Sequence, residues 1–214
     1  IEEIKNLISA NNTNKLKIKL KDIHYADIAE LIDNLNIEEA TYLIKLLESD
    51  TSADALAEID DEKREKILEK LSPKEIAEEL NELDTDDAVD IISELPEERK
   101  ERVISEIEDD KHIEDIRELL TYDENTAGGL MAKELVKVNE NLSVLKCLNE
   151  MRSQAENVSR VHSIYVVDSK NRLKGRLSLK DLITANSKAK VKDIFIPNVD
   201  YVFVNEENEE VARK

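Results

Sequence analysis

The sequence predicts a multidomain chain: an all-α superhelical solenoid of short helices, then a β-α-β-β-α unit. Three observations predict it. Apolar residues recur every 12 positions between residues 24 and 110. Runs rich in β-branched residues, which read as strands, follow only after Met131. Charge divides at the same place: residues 1–121 carry 36 acids and 16 bases, net −20, and residues 122–214 carry 14 and 15, net +1. Between the two parts stands Tyr122 to Met131, YDENTAGGLM, with two of the chain's three glycines side by side at Gly128 and Gly129. Adjacent glycines give the backbone access to positive φ and remove side-chain bulk, so this stretch is expected to end one unit and begin the next.

Residues 1–22 predict helix, turn, helix, from Ile4, Leu7 and Ile8, an Asn-rich turn, then Leu16, Ile18 and Leu20. Three apolar tracks of period 12 follow. One runs Leu35, Leu47, Ile59, Leu71, Leu83, Leu95, Ile107; a second runs Ile32, Ile44, Leu56, Leu68, Leu80, Ile92, Ile104. The third, Leu31, Leu43, Ala55, Ile67, Glu79, Ile91, Val103, is interrupted only at Glu79. Within a unit, Ile28, Leu31, Ile32 and Leu35 mark one face of a two-turn helix. One unbroken helix is excluded, because twelve residues overshoot whole turns by about 120° and the apolar face would wind around the rod. The chain must therefore break once per unit. Asn36 to Glu39 and Ser72 to Glu75 are capping boxes, Asp84 to Asp87 has the same form, and Pro96 starts a further helix. Two-turn helices bury a face only by stacking. His112 to Leu120 is expected as a closing helix.

After the junction, Leu135–Val138 reads as a strand and Leu142–Met151 as a helix. Ser163–Val167 and Leu173–Ser178 read as a hairpin turned at Asp168–Arg172, and Lys180–Ala185 as a helix. Val138-Asn-Glu-Asn141 is then echoed by Val204-Asn-Glu-Glu-Asn208, each expected after a strand. The second copy stops at Lys214, so the sequence is expected to be a portion of a longer protein. The predicted domains are residues 1–121, a junction at 122–130, a first β-α unit at 131–192 and the start of a second at 193–214.

Composition excludes several functions. No apolar run approaches the roughly 18 residues of a membrane span, and the N-terminus lacks signal-peptide form, so a soluble cytosolic chain is expected. One cysteine, Cys147, excludes a disulfide framework and a zinc cluster, and its place in an amphipathic helix predicts a buried, inert thiol. His24, His112 and His162 are scattered, and three glycines cannot form a phosphate-binding glycine loop, so no enzyme is expected. The acidic excess of the first unit repels nucleic acid and anionic lipid and attracts cations or basic partners; it also reads as a solvated surface serving solubility.

The carboxylates of interest are Asp54, Asp86, Asp87 and Asp90. With Ala88, Ile91, Ile92 and Leu95 buried, Asp87 and Asp90 lie together off that face, about 60° apart. Asp54 occupies the position of Asp90 three repeats earlier. Hard divalent cations take oxygen ligands, and one that keeps several waters is bridged by one or two carboxylates from each of two surfaces. The competing reading is helix capping, since Asp84, Asp86 and Asp87 stand in a first turn.

Tyr122, Glu124 and Thr126 to Met131 resemble the junction of MgtE-type magnesium transporters, where Y-x-E-x-(T/S)-A-G-G-L-M joins an acidic helical domain to a pair of CBS domains. The family often continues Thr-Pro, where this chain has Ala132-Lys133. Gly175-Arg-Leu-Ser178-Leu-Lys-Asp181 resembles the CBS pattern G-x-(I/V/L)-(S/T)-x-x-D. The resemblance covers essentially the whole chain and lacks the family's membrane-spanning part. It implies a regulatory module on the cytoplasmic side of the cell membrane, acting on its own transmembrane domain and forming a homodimer through the CBS units. It implies Mg2+ bridging by Asp54, Asp87 and Asp90 and, on the CBS side, by Glu207 and Glu209, in a stretch about two residues shorter than is usual. CBS pairs also bind ATP or AMP, which points to Ser178 and Asp181; capping of the following helix by Ser178 is the other reading. An adenine-nucleotide regulator with a protein-docking solenoid is the alternative function.

Overall fold

In the first 121 residues, breaks fall once per repeat, and the computed structural model, which describes residues 1–156, 158 and 161–214, turns each interval into a helix of eight to ten residues. These are α1 Glu2–Ser9, α2 Thr13–Leu20, α3 Tyr25–Asp33, α4 Ile37–Ile44, α5 Ser49–Glu58, α6 Asp61–Leu68, α7 Pro73–Leu80, α8 Thr85–Ser93, α9 Glu97–Ile104 and α10 Asp110–Leu119. The capping boxes form as expected at Asn36/Glu39 and Ser72/Glu75, the latter with Pro73 in the first turn. Asp84 differs: it is the N-cap residue of α8, but its side chain makes no cap bond. Pro96 is the N-cap of α9 and not its first residue.

The apolar tracks become the core. Ile32, Ile44, Leu56, Leu68, Leu80, Ile92 and Ile104 are all buried, as are Leu43, Ala55, Ile67, Ile91 and Val103. Helices stack on the neighbour two places along, α3 on α5, α5 on α7, α7 on α9, α4 on α6 and α8 on α10. Polar groups tie three of the helices to the third one back. Lys63 of α6 donates to the carbonyl of Asp33 at 2.8 Å and to that of Leu35, closing α3. Arg99 of α9 closes α6 in the same way, donating to the carbonyls of Leu68 and Leu71. His112 of α10 meets the carbonyl of Leu80, at the end of α7, at 3.0 Å. Carbonyls that a short helix leaves unpaired at its end are thus satisfied across the stack.

Ile18 departs from expectation. Leu16 and Leu20 of α2 are buried, but the apolar spacing of two places Ile18 on the opposite side of a helix, in solvent.

The second unit, residues 122–214, contains β1 Val136–Asn139, α11 Val144–Ala155, β2 Ile164–Val167, β3 Leu173–Leu177, α12 Leu179–Thr184, a 3-10 turn at Val191–Asp193, β4 Ile196–Pro197 and α13 Asn208–Arg213. The sheet order is β1-β2-β3-β4, with β1 parallel to β2 and the other pairs antiparallel. Val136, Val138, Ile164, Val166 and Leu177 face a core shared with Cys147 of α11 and Leu182 of α12. Burial pushes the Cys147 thiol up to about 11, which keeps it protonated and unreactive. The exposed edge of β1 is covered by the Gln154 amide, which accepts from Lys137 N–H at 2.9 Å and donates to its carbonyl at 2.8 Å.

Two expectations are corrected here. Residues 201–203 form no strand; the extra strand is β4, on β3. The junction glycines are needed for close approach and not for positive φ, which neither adopts. A side chain on Gly128 would lie 2.6 Å from the Tyr122 ring and 3.0 Å from the carbonyl of Val204, and one on Gly129 would strike the backbone of Asp123 and Glu124.

Candidate functional site

Asp87 and Asp90 project from α8 because Ala88, Ile91, Ile92 and Leu95 turn inward. Thr85, in the first turn, is buried as well, which fixes the rotation of the helix. Partial desolvation raises the Asp87 carboxyl to about 6, and the negative charges of Asp86, Asp84, Asp90 and Glu58 push the same way. Asp90 is raised too, first by desolvation and then by Asp86, with Glu94 and Asp61 adding and Arg64 opposing. Acids from the end of α5, the start of α6 and all of α8 therefore act on one patch of surface. This arrangement stabilises any cation that approaches, since each carboxylate gains when its neighbours' charge is offset.

The neighbours Glu58, Asp61 and Arg64 were not singled out from the sequence. Arg64 is buried and donates to Glu94 through Nε at 3.0 Å, to the carbonyls of Ala57 and Ile59 at 2.9 and 3.0 Å, and to Asp61 at 2.7 Å. It fastens the α5–α6 corner to the end of α8. The signal for it was a fourth track of period 12: Ile28, Ala40, Ser52, Arg64, Ile76 and Ala88, every member buried.

Asp54 is half-buried on α5. Among the described residues, no three His, Cys, Asp or Glu side chains gather closely enough to hold one metal ion. The acidic patch is thus a face that offers carboxylates singly or in pairs, which is compatible with a hydrated magnesium ion and unlike a dedicated all-protein cage.

Glu207 and Glu209 lie in the second unit. Glu207 is the N-cap residue of α13 and bridges to Thr126, and Glu209 pairs with Arg213 at 3.0 Å. They line a polar cleft of about 630 Å³ with Asp123, Asn125, Thr126, Asn208, Glu210 and Arg213. The junction reaches this place by backbone bonds: Ala127 N–H donates to Glu206, Gly128 N–H to Val204, and Asn208 N–H to Asn125, each at 2.8 Å. Residues 187–189 stand likewise against the start of α11, through Val144 N–H to Ala189 at 2.9 Å and Leu145 N–H to Ser187 at 3.3 Å. The second copy is shorter at this point, since its helix cap follows Val204 at Glu207, whereas Ser143 caps the first copy well after Val138.

Ser178 caps α12: its Oγ accepts from Asp181 N–H at 3.0 Å and donates to the Asp181 carboxylate at 2.6 Å. Both side chains satisfy each other. Outside the core, the sheet presents Lys137, Tyr165, Arg176 and Ile196 in one row across its four strands.

Comparison with known proteins bears on this arrangement. The MgtE intracellular N domain model matches residues 23–125, and the CBS domain model matches residues 127–188. A crystal structure of the cytosolic domain of the Mg2+ channel MgtE in complex with ATP superposes with a TM-score of 0.90 and 34% identity, over 98% of this chain and 86% of that one. This chain belongs to the MgtE family. The soluble part of a magnesium transporter superposes with a TM-score of 0.85 and 27% identity, over 99% of this chain and 83% of that one. The magnesium transporter MgtE of Thermus thermophilus is 47% identical over 92 residues, 43% of this chain and 20% of its own length. That of Enterococcus faecalis is 34% identical over 94 residues, 44% and 21% respectively. The matched segments thus span about a fifth of these curated relatives. Among the described residues no helix is long and apolar enough to cross a membrane.

Proposed function

We propose that this chain is the magnesium-sensing module of an MgtE-type transporter, regulating a membrane pore without any catalytic step of its own. The observation that carries this reading is the patch on α8, where Asp87 and Asp90 are held above the usual carboxylate range by desolvation and by surrounding acids. Asp87 and Asp90, with Asp86 on the same helix and Asp54 on α5, would hold the ion through oxygen, and Glu207 and Glu209 would offer oxygen from the second unit. Magnesium would supply positive charge to a patch where acids outnumber the one nearby cation, Arg64. At low magnesium the −20 unit repels other acids, which favours separated arrangements. At high magnesium these carboxylates are neutralised and a compact arrangement is favoured, provided the ion binds the two states with different affinity. We assign the compact state to the closed pore, the chain to the cytoplasmic face of the membrane, and its pairing to a homodimer through the CBS units.

The test is solution X-ray scattering across a magnesium titration. The radius of gyration is expected to fall with magnesium in the native chain and to stay nearly constant in Asp87→Asn/Asp90→Asn. A native chain whose envelope ignores magnesium contradicts the reading.

A second reading, adenine-nucleotide regulation, is favoured by the relative crystallised with ATP. Tyr165 and Arg176 on the open sheet face suit a base and a phosphate, whereas Ser178 and Asp181 are engaged with each other. ATP-dependent compaction, lost in Tyr165→Ala, would support it.

A further inference from the structure

Residues 1–21 contain two acids, Glu2 and Glu3, and five lysines, a net of +3, whereas residues 22–121 carry 34 acids and 11 bases, a net of −23. This basic hairpin falls outside the stretch matched by the N-domain model, residues 23–125. Four of its lysines are on α2 or adjoin it. The helical period sets Lys17, Lys21, Ile18, Lys15 and Lys19 in one continuous arc, opposite the buried Leu16 and Leu20. All five are exposed. Lys19 is bonded to Glu3 at 2.9 Å, and Ile18 stands in the middle of the arc at 76% exposure, the highest of any large apolar side chain among the described residues.

Beside the arc, between α2 and the turn after α4, is an open groove of about 190 Å³. Leu20, Leu46 and Leu47 contribute apolar surface to it, Lys17 and Lys21 edge it, and Glu48 also lines it. Lysines around an outward isoleucine, next to a small apolar groove, match a partner that presents phosphate and hydrocarbon together. A purely acidic surface would satisfy the lysines and leave Ile18 and the groove in water, whereas a phospholipid meets both.

We infer that the exposed face of α2 is a docking surface for an anionic phospholipid bilayer. Lys17 and Lys21 meet lipid phosphates, Ile18 enters the interfacial layer, and the groove takes the upper acyl region of one lipid. The −23 on the remaining helices weakens this contact little where those charges lie beyond the screening distance, about 8 Å at physiological salt. Each lysine near an anionic surface contributes about fivefold in partitioning, so docking is reversible and serves to orient a domain already tethered, not to anchor it. The inference is independent of the magnesium reading.

The test is flotation of the full 214-residue chain with phosphatidylglycerol or phosphatidylcholine vesicles, in EDTA and about 0.1 M salt. Binding to phosphatidylglycerol and not to phosphatidylcholine is expected. Lys17→Glu/Lys21→Glu is expected to lose at least about 20-fold in partitioning, and Ile18→Ser several-fold. Both substitutions are at exposed positions and leave the core untouched. No preference for phosphatidylglycerol, or equal binding by the native chain and both variants, overturns the inference. Salt-sensitive dimerisation without vesicle binding, abolished by Lys17→Glu/Lys21→Glu, overturns it in favour of a second copy as the partner.

Discussion

The two units of this chain reach stability by opposite routes. In the solenoid, the helices from α3 to α10 each pack on one two places away, and the same buried positions return every repeat. In the second unit, a parallel pair of strands must be brought together across α11, and the junction at Ala127 and Gly128 bonds to residues 204–206. The solenoid carries −20 and the second unit +1. A repeat makes its own exceptions visible: Ser52, Arg64 and Glu79 occupy positions that are otherwise apolar. A unit without a short repeat hides its exceptions in caps and close contacts, as at Ser178 and Gly128.

The comparison breaks most sharply at Arg64. Arg64→Ala leaves Glu94 and the carbonyls of Ala57 and Ile59 without their partner, and is expected to destabilise the solenoid by about 4 kcal/mol. Urea unfolding followed separately in each unit should show loss in the first and little change in the second.

Glu79 follows. Its Oε2 is buried with no hydrogen-bond partner among the described residues, while Oε1 lies 3.0 Å from Ser52 Oγ, which also sits 3.1 Å from the carbonyl of Ile44. A hydroxyl has one proton, so Ser52 serves both acceptors only if Glu79 brings a proton of its own. Desolvation, with Glu78, Glu82 and Glu75 adding and Ser52 opposing, raises this carboxyl from an ordinary 4.5 to about 7. The folded state therefore holds a proton that the unfolded state has released. The contribution is fully present below pH 4.5 and is lost as pH rises through 7, up to about 3 kcal/mol in all. Glu79→Gln is expected to flatten that fall between pH 5 and pH 8, measured by urea midpoints; an unchanged slope would show that Glu79 is charged throughout.

Gly128→Ala is the corresponding break in the second unit. A methyl group there meets the Tyr122 ring and the carbonyl of Val204, and is expected to cost about 2 kcal/mol, confined to residues 122–214. Ser178→Ala is the smallest: loss of the cap on α12 should cost about 1 kcal/mol.

How much of this was legible in the sequence follows the same division. The period of 12, the capping boxes and Pro73 placed helices of the solenoid, because each is a local signal repeated many times. The inward face of α8 followed from Ala88, Ile91, Ile92 and Leu95 alone, and with it the outward pair Asp87 and Asp90. Glu58 and Asp61 were not legible as their neighbours, because contact between α8 and the α5–α6 corner depends on how helices stack. Arg64 was hidden by its charge, although its track marked it as buried. In the second unit β1, β2 and β3 were read from β-branched runs, but β4 is only two residues, Ile196–Pro197, and pairs at a distance with Gly175 and Arg176. The glycines marked the boundary on two grounds, and the backbone uses one of them, the absence of side-chain bulk, and not positive φ.

The most direct test of the account is a carbon-13 NMR titration of the Asp87 carboxyl, with and without magnesium. Without magnesium, a midpoint near 6 is expected, lowered in Asp90→Asn, where one neighbouring charge is removed. With magnesium, a midpoint well below that value is expected, because a bound cation favours the ionised carboxylate. A midpoint at the ordinary 3.8, indifferent to magnesium and to Asp90, would contradict the claim that α8 carries the cation-sensitive face.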